Sequence, residues 1–201
     1  MSDWVTFDCY GTLIDWRTGM TEALEAVAPG RSAELIEGYH AVEPEIEAGP
    51  FKPYREVLAE GLERAAATLG IALGDYDVLG PSVPTWRAFA DTVPMLERLR
   101  AAGWQLAILS NSDAAMLAGT LESALPVPFG EVVAADQVRS YKPAHGHFDA
   151  FAERQKPDRW VHTGCSRFHD VVPAQARGLE AILIDREGAG DDLGKLVEAL
   201  T

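Results

Sequence analysis

The sequence predicts an α/β protein: a doubly wound, Rossmann-like parallel sheet with a small helical cap domain inserted after the first strand. Three observations predict this fold class. Short apolar runs recur along the chain, and segments with helical periodicity separate most of them. The runs are nearly continuous in apolar character, as expected of strands covered on both faces in a parallel sheet. One long interval after the first run has several helical patterns and no convincing strand.

The five apolar runs are the predicted strands. Each is short and is bounded by polar residues or glycine. They cover residues 4–7, 105–109, 132–134, 160–162 and 181–184.

Helical periodicity occupies 93–102, 114–124, 146–155 and 171–178. Because strand and helix alternate, we expect right-handed crossovers between parallel strands.

The long interval contains three further helical patterns, at 20–27, 33–47 and 54–69. An insertion of this size would lie above the carboxyl ends of the strands as a cap, whereas the alternative is a set of ordinary crossover helices beneath the sheet. We therefore predict an α/β core of residues 1–13 and 87–201 and a helical cap of residues 14–86.

Composition narrows the class of partner. The 201 residues include 17 Lys and Arg against 31 Asp and Glu, a net charge of −14 that would repel nucleic acid and anionic lipid. No apolar run approaches the roughly 18 residues of a membrane span, and no basic segment precedes the first apolar run, so we expect a cytoplasmic protein. Cys9 and Cys165 fit no disulfide framework or zinc spacing and are expected as free thiols.

Polar residues follow the predicted strands, where an open parallel sheet places its ligand site. An Asp nucleophile there needs a nearby cation, hydrogen-bond donors and close backbone approach. Taken singly, Asp8 reads as a helix cap and Lys142 as a surface charge; together the clusters favour an active site. The candidates are Asp8, Tyr10, Gly11, Thr12, Ser110, Asn111, Lys142, Ser166 and Asp170.

These clusters resemble the four motifs of the haloacid dehalogenase superfamily, closest to the L-2-haloacid dehalogenase-like (type II) hydrolases. The matching segments are 7–15, 109–112, 141–143 and 164–170. The resemblance implies an aspartyl ester on Asp8, with Lys142, Asp170 and Ser110 as the other catalytic residues. It implies substrate contacts from Tyr10, Gly11, Thr12, Asn111 and Ser166. The implied substrate is a small 2-haloacid or a similar small anionic acid, and the implied state is a monomer or homodimer.

Two alternatives stay open. A phosphatase of this superfamily usually has an acid where this chain has Tyr10, and a pair of magnesium-binding acids of which the first is Cys165 here. No cofactor is firmly expected, and a weakened magnesium site of Asp8 and Asp170 remains the alternative. The other alternative is a catalytically silent binding protein with the same fold.

Some positions depart from the dehalogenase pattern. Arg167 stands where an Asn is usual and Phe148 where a Tyr is usual. The cap stretch 38–43 lacks the expected Arg, for which Arg17, Arg31 or Arg55 are candidate replacements. Tyr54 either lines the pocket or fills the cap core. The pair His145 and His147 is typical of a polar helix start, with a metal site as the alternative.

Overall fold

The computed structural model describes residues 2–186 and 192–201. Within them lies a five-stranded sheet whose strands are all parallel, in the order β3-β2-β1-β4-β5. The predicted strands are confirmed to within about two residues at each end. Their bounds are β1 Asp3–Phe7, β2 Gln105–Ser110, β3 Glu131–Ala134, β4 Arg159–Gly164 and β5 Glu180–Leu183.

Helices fill the intervals between the strands. None of the helices in the described part of the chain is long and apolar enough to cross a bilayer. Their bounds are α1 Trp16–Val27, α2 Ser32–Glu47, α3 Tyr54–Leu69, α4 Leu79–Ser82, α5 Thr92–Ala101, α6 Ala114–Ala124, α7 Ala135–Val138, α8 Gly146–Gln155, α9 Val172–Ala176 and α10 Asp192–Leu200, with a 3₁₀ turn at Val83–Thr85 and a π turn at Arg167–Val171.

The prediction of one regular helix over 171–178 is wrong at its start. The backbone enters α9 through the π turn, in which Asp170 and Val171 both donate to the carbonyl of Ser166. This widened turn directs Asp170 back to the end of β4, where its carboxylate accepts a hydrogen bond from the Ser166 N–H at 3.1 Å.

Alternate residues of each strand point to opposite sides of the sheet, and apolar cores cover both sides. Val5 and Phe7 pack in the larger apolar core with α5, α6 and α10. Trp4 belongs to the core of the other face, where it packs edge-on against Phe151 of α8 at 5.3 Å between ring centroids. This two-sided cover explains the continuous apolar runs.

Strand order reverses at the centre of the sheet. The chain moves from β1 outward through β2 to β3, and then crosses to the other side of β1 for β4 and β5. Residues that follow β1 and β4 are therefore neighbours at the carboxyl edge, in the crevice where doubly wound sheets bind ligands. Asp8, directly after β1, donates its backbone N–H to the carbonyl of Thr163 in β4 at 2.8 Å.

The helical segment α1–α4 follows β1, as predicted for a cap. Its helices α2 and α3 approach closely at two glycines: a Cβ on Gly61 would lie 2.7 Å from the ring of Tyr39, and one on Gly38 would lie 3.0 Å from Cβ of Ala65. The exact boundaries of the cap, residues 14 and 86, stay a prediction.

Two polar contacts fasten this segment to the core. The carboxylate of Asp113, after β2, accepts hydrogen bonds from the backbone N–H groups of Tyr54 at 2.8 Å and Arg55 at 3.0 Å. It thereby caps the N-terminus of α3, whose first N–H groups have no partner within the helix. The hydroxyl of Tyr141 donates to the carbonyl of Lys52 at 2.6 Å.

Candidate active site

A cavity of about 250 Å³ lies between the carboxyl edge of the sheet and the helices after β1. Asp8 lies at its floor with 13% of its side chain exposed. Most of the candidates named from the sequence line this cavity: Asp8, Tyr10, Ser110, Asn111, Lys142, Ser166 and Asp170. Gly11 and Thr12 are not on its wall.

Lys142 joins the two carboxylates of the site. Its Nζ lies 3.0 Å from Oδ1 of Asp8 and 2.7 Å from Oδ1 of Asp170. Burial alone would lower the pKa of Lys142, but the two carboxylates outweigh burial and raise it, so the side chain stays protonated.

The two carboxylates respond differently to that ammonium. Burial, with the charge of Asp170, raises the pKa of Asp8 above its ordinary value. Lys142 and the Thr12 hydroxyl oppose this rise and favour the ionised form that a nucleophile needs. For Asp170, Lys142 and His162 overcome the effect of burial and hold the pKa below its ordinary value. Asp170 is therefore a permanent counter-charge, and it is too weak a base to take a proton at neutral pH.

Thr12 orients the other oxygen of Asp8. Its hydroxyl donates to Oδ2 of Asp8 at 2.8 Å and accepts from the backbone N–H of Cys165 at 2.9 Å. This proton is committed to Asp8, so the hydroxyl of Thr12 contacts the nucleophile, and a substrate contact of Thr12 stays a prediction. Gly11 has φ of +91° and a Cβ there would lie 2.8 Å from Sγ of Cys165, so glycine is needed for this close turn.

Asn111 holds the backbone of Lys142. Its Oδ1 accepts from the Lys142 N–H at 2.6 Å, and its Nδ2 donates to the Lys142 carbonyl at 3.1 Å. Ser110 is held nearby, because its carbonyl accepts from Nε2 of His147 at 2.9 Å. His147 lies in the first turn of α8, as predicted, and is fully buried there.

The phenol of Tyr10 is poorly suited to proton transfer. Its hydroxyl is hydrogen-bonded to that of Thr120 at 2.9 Å. Burial raises the pKa of Tyr10 above its ordinary value, so the phenol is a poor acid for a leaving alkoxide. On the opposite side of the cavity, the hydroxyl of Ser166 accepts from the backbone N–H of His169 at 3.1 Å.

The donor set does not fit magnesium. Asp8, Cys165 and Asp170 each offer a ligand atom within 4.8 Å of the others. However, the ammonium of Lys142 already bridges the two carboxylates. The third donor is a thiol whose pKa burial raises to about 12, and a protonated soft sulfur is a poor ligand for a hard cation.

The cap-side wall contains residues that the sequence analysis missed. Tyr39, Glu43 and Glu47 recur at four-residue intervals on α2 and all line the cavity. That spacing places them on one face of a helix, which is the signal that would have found them. Tyr54 lines the cavity and also packs against two apolar clusters around it, so both interpretations of that residue hold.

The arginines proposed to replace the expected cap Arg lie elsewhere. Arg31 pairs with Glu34 at 2.8 Å, and Nε of Arg55 lies 3.0 Å from Asp77. Arg17 lies over the ring of Trp16 at 4.9 Å and is not on the cavity wall.

The sequence analysis also missed Arg186, a residue after β5 that supports the loop following Asp8. Arg186 donates two hydrogen bonds to the carbonyl of Thr12, at 2.7 and 3.0 Å, and pairs with Asp91 at 2.8 Å. It holds the loop that follows Asp8 from behind.

A parallel sheet that presents an aspartate to a partly open cavity, beside a buried lysine, defines a hydrolase class that works through an aspartate nucleophile. The model of the haloacid dehalogenase-like hydrolase family matches residues 3–164, so the chain belongs to this family.

Characterised relatives cover most of the chain. The chain is 25% identical over 199 residues to the (S)-2-haloacid dehalogenase of Pseudomonas putida, covering 94% of this chain and 87% of the relative. It is 29% identical over 194 residues to (S)-2-haloacid dehalogenase 4A of Burkholderia cepacia, covering 90% and 82%. The crystal structure of an L-2-haloacid dehalogenase superposes with a TM-score of 0.89 at 26% identity, covering 99% of this chain and 98% of the other. Fold and family are thus shown, and the protein is a hydrolase.

Proposed function

We propose that Asp8 displaces a leaving group from a carbon atom of a small molecule and that water then hydrolyses the resulting ester. In the first step a carboxylate oxygen of Asp8 forms a C–O bond while the carbon–halogen bond breaks, and the halide leaves with the bonding electrons. In the second step water attacks Cγ of Asp8 and the acyl C–O bond breaks. The product alcohol carries away the former carboxylate oxygen together with one proton of the water, the second proton is released to solvent, and Asp8 retains the oxygen of water as a carboxylate.

The observation that carries this proposal is the way Asp8 is held. Lys142 contacts Oδ1 and Thr12 contacts Oδ2, while the side chain still faces the cavity. Lys142 is the cation that keeps the nucleophile ionised, and Asp170 positions Lys142 and the hydrolytic water. Ser110, Asn111, Tyr10 and Ser166 line the cavity, where their polar atoms can contact substrate and leaving group.

The state of Tyr10 favours halide as the leaving group. An alkoxide needs a proton as it leaves, whereas a halide leaves as a stable anion. Because the Tyr10 hydroxyl is hydrogen-bonded to Thr120 and its pKa is raised by burial, it supplies no ready proton. A small 2-haloacid, the substrate class in the names of the relatives, is therefore the reference substrate.

The cytoplasm stays the predicted location of the protein, and a monomer or homodimer stays its predicted oligomeric state.

Halide release from a panel of small 2-halo compounds tests the proposal, with and without magnesium and beside a panel of phosphate esters. We expect wild-type turnover without magnesium and none from Asp8→Asn, which is nearly isosteric and cannot form the ester. Near-wild-type turnover by Asp8→Asn, without deamidation back to Asp, would exclude the mechanism. An adduct trapped on Asp8 distinguishes the enzyme from a silent binding protein.

A further inference from the structure

The cap-side wall of the cavity carries a negative charge at Glu43, whose side chain is 19% exposed. Oε1 of Glu43 accepts hydrogen bonds from the hydroxyls of Tyr39 at 2.7 Å and Tyr54 at 2.8 Å, and Oε2 lies 3.2 Å from Nδ1 of His40. Burial opposes ionisation of Glu43, but these hydrogen bonds outweigh it and lower its pKa. Glu43 is therefore held as a carboxylate inside the cavity.

Glu47 lies one helical turn further along α2, and its nearest basic group is a histidine. Its side chain is 11% exposed, and Oε2 lies 4.0 Å from Nε2 of His169. Burial, followed by the charge of Glu43, raises the pKa of Glu47 to about 8. Glu47 therefore retains its proton near neutral pH, and a cation bound beside it would favour its ionised form.

Basic groups do not balance these acids. Among the described residues, Lys142 is the single lysine or arginine on the cavity wall, and it is already paired with Asp8 and Asp170. Two histidines also line the wall, His40 beside Glu43 and His169 beside Glu47, and burial lowers the pKa of His169. Buried charges in proteins are normally paired. The wall therefore has room for one more positive charge and would repel a carboxylate.

Aromatic rings complete the cap-side surface. Trp16, Trp86, Tyr10, Tyr39 and Tyr54 all line the cavity. The negative faces of such rings attract organic cations, most strongly where water is excluded. The acidic and the aromatic side chains of the cavity wall thus both favour a positively charged ligand.

We propose that the cavity selects a substrate whose non-reacting end is an organic cation, such as an alkylammonium group. This inference rests on the proposed Asp8 chemistry and names the class of molecule on which it acts. The carbon that bears the leaving group faces Asp8, and the cationic end lies against Glu43, Glu47 and the aromatic rings of the cap side. A 2-halocarboxylate, which would place its negative charge against those acids, is the disfavoured member of the series.

Binding of three unreactive probes of similar size separates the effect of ligand charge from the reaction at Asp8. The probes are isovalerate, isovaleramide and isoamylammonium, measured by calorimetry on the intact protein at neutral pH. We expect isoamylammonium to bind about tenfold or more tightly than isovalerate, with isovaleramide between them. Equal binding of the three probes, or tighter binding of isovalerate or isovaleramide than of isoamylammonium, would overturn the proposal.

Glutamine variants locate the selectivity. Glu43→Gln should narrow the preference for isoamylammonium over isovalerate, because it removes a carboxylate from the wall. Glu47→Gln should narrow it as well, because a bound cation favours the ionised form of Glu47 and glutamine cannot ionise. Glu47→Gln is the milder change, since Glu43 holds two tyrosine hydroxyls. Glu45→Gln is the matched control: it lies on the same helix with a side chain that is 79% exposed, and should leave the preference unchanged. An unchanged preference in the Glu47 variant and in a folded Glu43 variant would contradict the assignment.

Failure of this inference and failure of the proposed function give different results. The probes carry no leaving group, so their binding does not depend on Asp8 chemistry. If isovalerate binds best and Asp8 still forms an ester with a 2-haloacid, the cation proposal is wrong and the function stands. If the cation preference holds and Asp8 never forms an ester with any 2-halo compound, the charge assignment stands and the function is wrong.

Discussion

The ammonium nitrogen of Lys142 lies 2.7 Å from Oδ1 of Asp170, and both side chains are 1% exposed. A buried pair of this kind is costly to desolvate, and removing one partner leaves the other charge unpaired in the interior. Because the same ammonium also contacts Asp8, the pair connects the stability of the fold to the ionisation of the proposed nucleophile.

Replacement of Lys142 should therefore affect both properties. Lys142→Ala should lower the rate of ester formation on Asp8 by about 10²-fold or more. It should also lower the free energy of unfolding by about 3–5 kcal/mol, because Asp170 remains buried without its partner. Single-turnover kinetics and denaturant unfolding measure the two effects separately.

Lys142→Arg is the informative companion variant. The guanidinium keeps the positive charge, but its planar fork does not reproduce a point charge shared by two carboxylates, so the rate should stay low. Equal rates for wild type, the alanine variant and the arginine variant would place Lys142 outside the reaction.

Asp113 should control how the cap is held over the cavity. Asp113→Ala removes the cap on the N-terminus of α3 and should cost about 1–2 kcal/mol of stability. It should also weaken substrate binding, seen as a raised KM, because α3 carries Tyr54 on the cavity wall.

Asp136→Ala is the matched control for that change. The Asp136 carboxylate accepts from the backbone N–H of Ala114 at 3.0 Å and so caps α6, within the core. A comparable loss of stability with KM unchanged is expected. An equal rise in KM for both variants would show that the Asp113 effect is general destabilisation.

Glu47 should make stability fall as the pH rises. Its pKa is raised from 4.5 to about 8 in the folded state, so between these values the folded protein retains a proton that the unfolded chain has lost. The free energy of unfolding then decreases with pH through this window, by at most about 1.4 kcal/mol per pH unit. The groups that face Glu47 are Glu43, Asn111, Lys142 and His169.

Thermal unfolding from about pH 5 to about pH 9 measures this dependence. Glu47→Gln removes the titrating group, so the decline should be smaller in that variant than in wild type. Glu45→Gln, on the exposed side of α2, should follow the wild-type curve. Parallel curves for wild type and Glu47→Gln would show that Glu47 ionises normally.

Local patterns were sufficient to predict the sheet and the polar edge of the site. The apolar runs and the residues directly after them lie within a few positions of one another, and parallel pairing brings these strand ends together whatever the loops do. The helices α4 and α7 were missed because four residues are too short to show a period. The π turn before α9 was missed because its geometry follows from the contact of Asp170 with the end of β4.

The charge of the cavity wall was the least predictable feature. Glu43 and Glu47 lie on a helix far in sequence from Asp8, and their role depends on where α2 packs over the sheet. Thr12 was expected to contact substrate because its hydroxyl follows the nucleophile in sequence. The structure directs that hydroxyl to Asp8 through a turn that Gly11 permits.

The most direct test of the account follows the oxygen atom of water in a single turnover. Wild-type protein in excess is mixed in heavy-oxygen water with 2-bromopropionate, 2-bromopropionamide or 2-bromoethylammonium, and the peptide containing Asp8 is analysed by mass spectrometry. The account predicts that the heavy oxygen enters the carboxylate of Asp8 while the alcohol formed in that turnover carries unlabelled oxygen, since water attacks Cγ of the ester. Product alcohol that carries the heavy oxygen, with Asp8 unlabelled, would show direct attack of water on the substrate and would contradict the account.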